Sequence, residues 1–430
     1  MFGSGMGGGI RFFAGIALVA LLALPLVPVQ AQEKVTVEIV TNSWHEAVID
    51  GIAASARRFV ENNPNIEVTV RRRAGSWDDF MVQVVGGSAP NIVTTSTGLV
   101  GQFAHNNIII PLDDLIARTN LRQEVFGPAW ESLTYQGRIY AVPGVEQGPR
   151  YGQVWNKRLL DEAGLFVNLD QTMDWEEFLE FAHKLTRFDS NGNVTRVGFD
   201  PRNGQNTRSF TIGPLLGTWW VDLETGMPTL NSEGYVNGLS LILDKVYRRY
   251  TGWVGSTDWY AIAAETVATS NLGIYGPGEI ENRIEGMELI VSWPPHVERK
   301  RMQQVSGWGF SIPTGATNVE ESMRLIEFLA TDVQFQMELY MNVGFMGAGT
   351  QFLSELPNAI TDPARLWYVT SMARADVIMA DRPHPYTSRA VALFDEARNR
   401  AFLQEATVRQ ALDDANNALL NEMRDAGYLK

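Results

Sequence analysis

Twelve tryptophans punctuate this chain, and several stand beside carboxylates, hydroxyls or an arginine where extended segments should end. Trp44 precedes His45 and Glu46. Trp77 precedes Asp78 and Asp79. Ser96 and Thr97 close a third extended run, and Glu146 and Arg150 flank a Gly-Pro step. Trp219 and Trp220 sit in a loop-like stretch, Trp253 and Trp259 flank another, and Trp293 and Trp308 bracket a later extended segment. An indole covers the apolar C–H face of a sugar-like ring, while carboxylates, amides and arginines bond its hydroxyl rim. The aromatic contact contributes roughly 0.5–1.5 kcal/mol beyond burial, and each matched hydrogen bond about 1 kcal/mol. These residues also have structural readings. Trp130, Trp175 and Trp367 fall in helices or helix caps and read as core. Glu46 could be the first acid of a helix, where the dipole favours it, and Asp78 and Asp79 could cap one. Arg150 in a cleft would also suit a carboxylate-bearing ligand.

Other chemistries lack their residues. There is no H-E-x-x-H, no G-x-S-x-G and no glycine-rich phosphate loop, and the chain has five histidines and no cysteine. The stretch 189–195 has a calcium-loop look, but its glycine is fourth where an EF-hand needs it sixth, so it reads as a hairpin turn. The net charge of −14 argues against nucleic acid. The triplet Arg71, Arg72 and Arg73 ends a strand and reads as a solvated edge.

The elements that must position these groups follow from periodicity. Residues 35–39 and 66–70 alternate as strands, and 90–95 reads as a third. Ile49, Ile52, Ala53, Ala56, Phe59 and Val60 share one helical face, and Phe80, Met81, Val84 and Val85 make a shorter one. This is a β-α-β-α-β order, hence a mostly parallel sheet covered by helices. Ligands of such sheets sit at the carboxyl ends of strands, here 42–46, 75–79 and 95–98. A second α/β unit follows Pro143. Asp174 caps a helix carrying Phe178, Phe181, Ala182 and Leu185. Helices are expected at 235–250, 261–269, 319–329, 332–341 and 408–423, and strands at 272–278 and 307–313.

The first thirty residues have the pattern of a secretory signal. Arg11 is the only charge before Glu33, residues 12–28 are almost wholly apolar, and Val29 and Ala31 suit cleavage after Ala31. The apolar run, ~17 residues broken by Pro25 and Pro28, falls short of the roughly 20 a spanning helix needs. Met6 is an alternative start. Without a cysteine to carry lipid, the exported chain is expected to be soluble, periplasmic and not a lipoprotein, folding on its core alone.

Residues 140–185 resemble one family. Tyr140 to Pro143 read Y-A-V-P, and Trp155, Asn156, Lys157, Leu159, Asp161, Ala163 and Gly164 match "W-Y-N-K-x-L-F-x-E-A-G-L". The order is similar to the inter-lobe crossing of the extracellular solute-binding proteins of sugar ABC importers, the maltose-binding-protein-like family. Ile274, Gly276 and Pro277 match its "I-x-G-P-W" element, with Gly278 in place of the tryptophan. Residues 307–314, 330–336, 344–348 and 407–412 match further motifs, in order. The resemblance implies an α/β, two-lobed periplasmic-binding-protein fold of type II. Lobe 1 would span 32–142 plus 273–312, and lobe 2 143–272 plus 313–430. Three crossings are expected, near 141–144, 271–274 and 312–317, with the ligand cleft between the lobes. It also implies ligand contacts at Gly276 and Glu279, no cofactor and no metal. The expected activity is carriage of a mono- or oligosaccharide, as a monomer, to an ABC permease. A polyamine or a polyol phosphate is an alternative ligand, the latter drawing on Arg150, Arg202 or Arg208. A secreted carbohydrate-active enzyme is a further one.

Overall fold

A computed structural model describes residues 1, 34–42, 45–203, 206–250, 255, 258, 260–281 and 283–429, and residues 34–430 form one compact unit. The expected signal segment lies outside the described residues. Among the described residues no helix is long and apolar enough to cross a membrane.

The elements used below run in chain order. They are β1 (Val35–Thr41), α1 (Glu46–Glu61), β2 (Ile66–Arg72), α2 (Trp77–Val85), β3 (Ile92–Ser96), α3 (Thr97–His105), β4 (Val142–Glu146) and β5 (Gln153–Asn156). Next come α4 (Trp175–His183), β6 (Arg187–Phe188), β7 (Val194–Phe199), α5 (Ser209–Leu215), β8 (Val267–Asn271), α6 (Gly276–Glu281) and β9 (Leu289–Ser292). The last are β10 (Met302–Val305), β11 (Trp308–Ser311), α7 (Val319–Thr331), α8 (Val333–Val343), β12 (Val377–Ala380), α9 (Thr387–Phe402) and α10 (Val408–Asp425).

Two five-stranded sheets organise the chain. The first has the order β2-β1-β3-β11-β4, with β1 parallel to β2 and β3, and β11 antiparallel to both β3 and β4. The second runs β9-β5-β8-β7-β6, with β8 parallel to β7 and β5 antiparallel to β8 and β9. Each sheet has its own core. Val37, Ile39, Ile52, Phe59, Phe310 and Ile326 belong to the first. Trp155, Phe178, Phe199, Leu239, Phe394 and Leu419 belong to the second. Strand alternation divides β5 between two layers. Trp155 faces the helical core, while Val154 faces a smaller cluster with Leu272, Trp293, Phe352 and Trp367.

The local signals act as their chemistry requires. Asp174 accepts the Glu177 amide at 2.8 Å and caps α4. Asp189 accepts the amides of Asn191 and Asn193, and Gly192 takes φ +83°, so 189–193 forms the expected hairpin turn. One stretch differs. Residues 261–266 are turns, and the strand is β8, whose five residues are all buried between β5 and β7. The strand reads Val-Ala-Thr-Ser-Asn, with polar members satisfied inside the sheet, as by Thr269 Oγ1 donating to Val154 O at 2.7 Å, so it carries neither the alternation nor the apolar run by which periodicity identifies a strand. Gly276 and Pro277 then open α6 instead of prolonging a strand, as a proline in the first helical turn can.

The segments also distribute between the sheets differently from the expected lobe boundaries. β9 is an edge strand of the second sheet, although 273–312 was expected in the first lobe. α7 and α8 bury Met323, Leu325, Ile326, Leu329, Phe335 and Leu339 in the first core, although 313–430 was expected in the second lobe. The reason is β11, which enters the first sheet between β3 and β4 and keeps the following helices there. The inter-sheet link after β4 is residues 147–152, just beyond the expected 141–144. The Leu272 amide donates to Gly152 at 3.0 Å and that of Ile274 to Pro149 at 3.1 Å. On the other side, the Arg150 amide donates to Gln304 at 3.0 Å, and the Asp381 amide to Val305 at 2.9 Å. Four distant segments thus form one narrow ribbon between the sheets.

Trp155 is 1% exposed, donates from Nε1 to Ser292 Oγ at 2.9 Å and meets Phe181 edge-on at 5.4 Å. Trp155→Ala is expected to cost about 3–5 kcal/mol in denaturant melts, the range for emptied aromatic core sites. Phe166→Ala, at a side chain 83% exposed, should stay within about 0.5 kcal/mol of wild type. Equal effects would contradict this placement of the second core.

Candidate functional site

A cavity of about 620 Å³ opens where strands of the first sheet end against the second lobe. β11 sets its wall. The ladders that seat β11 pair Trp308 with Ser96 on β3 and with Glu146 on β4. Three residues distant in sequence therefore stand side by side. The Thr97 amide donates to Gly307 O at 2.9 Å, which ties the start of α3 to the same edge. A side chain at Gly307 would collide with the Glu146 carbonyl, so only glycine allows this approach.

The floor is ionic. Arg150 Nη2 donates to Ser306 Oγ at 3.3 Å, and Ser306 Oγ donates to Asp381 Oδ2 at 3.2 Å. Glu146 and Asp381 are 5% and 6% exposed. Burial pushes Asp381 up to about 6, although Arg150 and the Ser306 hydroxyl pull the other way. Burial also raises Glu146 against the pull of Arg150. For Arg150 burial favours the neutral form, but Glu146, Tyr275 and Asp381 together raise its pKa above the ordinary value. Burial pushes Tyr275 up to about 12, so it stays a neutral donor and acceptor at pH 7.

The rim comes from both lobes. His45 Nε2 lies 3.1 Å from Glu279 Oε1 on α6, and His45 meets Phe345 edge-on at 5.7 Å. From the second lobe come Arg208, Phe210, Tyr260 and the first turns of α9, with Thr387, Ser388 and Val391. Aromatic faces alternate with carboxylates, guanidiniums and hydroxyls. Such a surface binds a compact polyhydroxylated molecule through face contacts and rim hydrogen bonds. Among the described residues no group of three or more His, Asp or Glu side chains could hold a metal ion.

The model of the bacterial extracellular solute-binding protein family matches residues 40–334. The chain belongs to that family. It is 19% identical to the maltotriose-binding protein of Pyrococcus abyssi over 72% of this chain, a match spanning about 65% of that protein's length. Among solved structures it resembles CpMnBP1 with mannobiose bound, at TM-score 0.75, 20% identity and coverage of 90% of this chain and 100% of that one. It also resembles the sugar-binding protein MalE of Xanthomonas citri, at TM-score 0.72, 15% identity and coverage of 92% and 100%. These likenesses establish the two-lobed fold.

Of the residues singled out by sequence, Ser96, Glu146, Arg150, Glu279 and Trp308 line the cavity of this family member. Others have different surroundings. Trp77 packs edge-on against Phe80 and Phe103 at 5.8 and 5.3 Å, under the Arg73 guanidinium, and so fastens α2 to α3. Asp78 is exposed in the first turn of α2, where Ser76 and Asp79 form the capping box. Glu46 is exposed and paired with Arg72 at 2.6 Å. Trp220 is 1% exposed and meets His384 edge-on at 5.0 Å, and Trp219 packs partly buried on the same core. Gly276 is buried at the start of α6. Trp44, Trp253 and Trp259 lie outside the described residues. Sequence reading passed over Tyr275, Phe210, Ser306 and Asp381. Only Asp381 had a usable local signal, as the polar residue after a short apolar strand, β12.

A second cavity of about 730 Å³ lies across the 381–384 segment, lined by Arg382, Pro383 and His384 together with Trp130, Tyr135 and Tyr428. An aromatic cluster joins the lobes there. Tyr428 Oη and His384 Nε2 share a hydrogen bond at 3.1 Å, and Tyr428 meets His105 edge-on at 5.5 Å. Burial and His105 push His384 down to about 4, so its ring is neutral at pH 7.

The Asp381 shift has a thermodynamic consequence. Its folded-state pKa lies above the unfolded value of about 3.9, so the native state binds the proton more tightly. Its contribution is fully present below about pH 4 and is lost as pH rises through about 6. Asp381→Asn removes this dependence. The stability of wild type relative to that variant should fall by on the order of 2–3 kcal/mol between pH 4 and 7. Parallel stability curves would show that the carboxyl is not desolvated as described.

Proposed function

We propose that this protein is the substrate-binding component of an ABC importer, and that it carries a mono- or oligosaccharide in the 620 Å³ cavity between its lobes. The observation that supports this most is the placement of Trp308 between Ser96 and Glu146, on the wall of the cavity that Arg150 also lines. An indole face beside a carboxylate and a hydroxyl has the chemistry of a sugar-ring platform. Relatives named for maltotriose, mannobiose and maltose binding support the same ligand class. Ligand held by both lobes favours the closed form by its contacts with both, and a permease would read that form. The protein binds without turnover, acts as a monomer and has no nucleic-acid partner. It is exported by a signal segment cleaved after Ala31, works in the periplasm and carries no lipid. Sequencing the N-terminus of the exported protein tests the last points: a start at Gln32 is expected, and a retained N-terminus would refute them.

A thermal-shift screen with neutral di- to tetrasaccharides, mannobiose and maltotriose among them, tests the ligand class. A binder at ~100 times its Kd adds about 2.7 kcal/mol of stability. Trp308→Ala should then weaken binding by about 1–3 kcal/mol, with a smaller loss of stability than Trp155→Ala. Release of shorter sugars during incubation would point to an enzyme. Affinity unchanged by Trp308→Ala would place the ligand elsewhere.

A further inference from the structure

Two glycines stand inside α3, Gly98 and Gly101, although glycine is a poor residue for a helix interior. Spaced three apart, they share one face, and that face meets the second lobe. A β-carbon at Gly101 would stand 2.4 Å from the backbone nitrogen and carbonyl carbon of His384, far inside contact distance. One at Gly98 would rest 3.8 Å from Thr387 Cγ2. The helix is anchored in the first lobe. Leu99 and Phe103 pack with Phe80 and Val93, and Val100 and Ala104 with Leu133 and Ala141. The 384–387 turn is anchored in the second. His384 O accepts the Thr387 amide at 3.1 Å and the Thr387 hydroxyl at 2.9 Å, and His384 Nδ1 accepts the Tyr386 amide at 3.2 Å. The His384 ring meets Trp220 of the second core at 5.0 Å. Two rigid pieces, one from each lobe, thus touch backbone to backbone. Tyr428, just past α10, extends the contact: it shares a hydrogen bond with His384 and meets His105 at the far end of α3. Tyr135 Oη, also of the first lobe, lies 3.4 Å from His105 Nδ1.

Gly98 and Thr387 line the 620 Å³ cavity, whereas Gly101, His105, Tyr135 and Tyr428 stand outside it. The contact therefore begins where the cavity ends and forms without a ligand. We propose that it is a latch: the docking of α3 on His384 holds the two lobes closed, and Gly101 is the residue that admits it. Elsewhere on the rim, His45 at the start of α1 reaches Glu279 of α6 at 3.1 Å, and Ile280 of α6 packs with Val154 of the second sheet. The arrangement in which the latch is made is thus the one in which both lobes enclose the cavity. A rotation that parts Gly98 from Thr387 moves the same helix off His384. Apparent affinity scales with the fraction of molecules already in the binding-competent form. The latch thus sets affinity for the solute without touching it, and the inference does not depend on that solute being a sugar.

Small-angle scattering of the ligand-free exported protein tests this on wild type, Gly101→Ala and Tyr428→Ala. Gly101→Ala should show a larger radius of gyration than wild type. Alanine is the better helix former, so its denaturant midpoint should stay at or above the wild-type value. Tyr428→Ala, which removes the outer part of the contact and leaves α3 intact, should shift the scattering in the same direction. If nine-tenths of the closed population is lost, calorimetry with mannobiose should show about tenfold weaker binding. Trp308→Ala, which acts on the ligand, should leave the ligand-free scattering at the wild-type value. Scattering of Gly101→Ala that superimposes on wild type, or is more compact, overturns the latch. So does expansion with a loss of stability as large as that of Trp155→Ala, which would mean loosening within a lobe. If Gly101→Ala does not accumulate as folded protein, Tyr428→Ala decides by the same two readings. Expansion of Gly101→Ala in a protein that binds no saccharide keeps the latch and refutes the sugar reading.

Discussion

The half-buried side chain of Arg150, set against the buried carboxylates of Glu146 and Asp381, is the constraint on which the rest of this structure depends. A positive charge cannot be taken out of water without partners, and its partners come from far along the chain. Glu146 ends β4, Ser306 precedes β11, and Asp381 follows β12. Removing one member of a buried charge set costs about 3–5 kcal/mol, because the others are left uncompensated. The ribbon of backbone bonds around Arg150 is therefore held in one register by electrostatics as well as by amide pairing. The same residues form the floor of the cavity, so the chemistry that joins the lobes also faces the ligand.

The insertion of β11 links fold to site. A strand from residue 308 onward enters antiparallel between β3 and β4. Its first residue is then forced between two strand ends, which in an otherwise parallel sheet are the places where side chains meet a ligand. The helices that follow cannot leave the first lobe, and they complete its core with Phe335 and Leu339. Beyond the 381–384 segment, the half-buried Tyr428 ring meets the buried His384 on one side and the exposed His105 on the other. Its contacts are ring-to-ring, in contrast to the charged floor. The lobes are thus joined by two chemically different contacts on either side of the 381–384 segment.

Residue types and spacing determined much of this protein. Alternation in 35–39 and 66–70, the Asp174 cap and the run from Trp155 to Gly164 specify strands and helices through local interactions, and these appear where expected. The strand-end rule selected Ser96 because βαβ topology leaves little choice of ligand face, and Glu146 was singled out by its place beside the first crossing. Tryptophan identity was less informative. An indole has the same appearance in sequence whether it clamps two helices, as Trp77 does against Phe103, fills a core, as Trp220 does beside His384, or faces a cavity, as Trp308 does. Those roles depend on which elements meet, and only the tertiary structure decides that. The same holds for Asp381, whose strand pairs with β10 about seventy-five residues earlier. Local physics determines which segments form; burial and long-range pairing decide which side chains share a site.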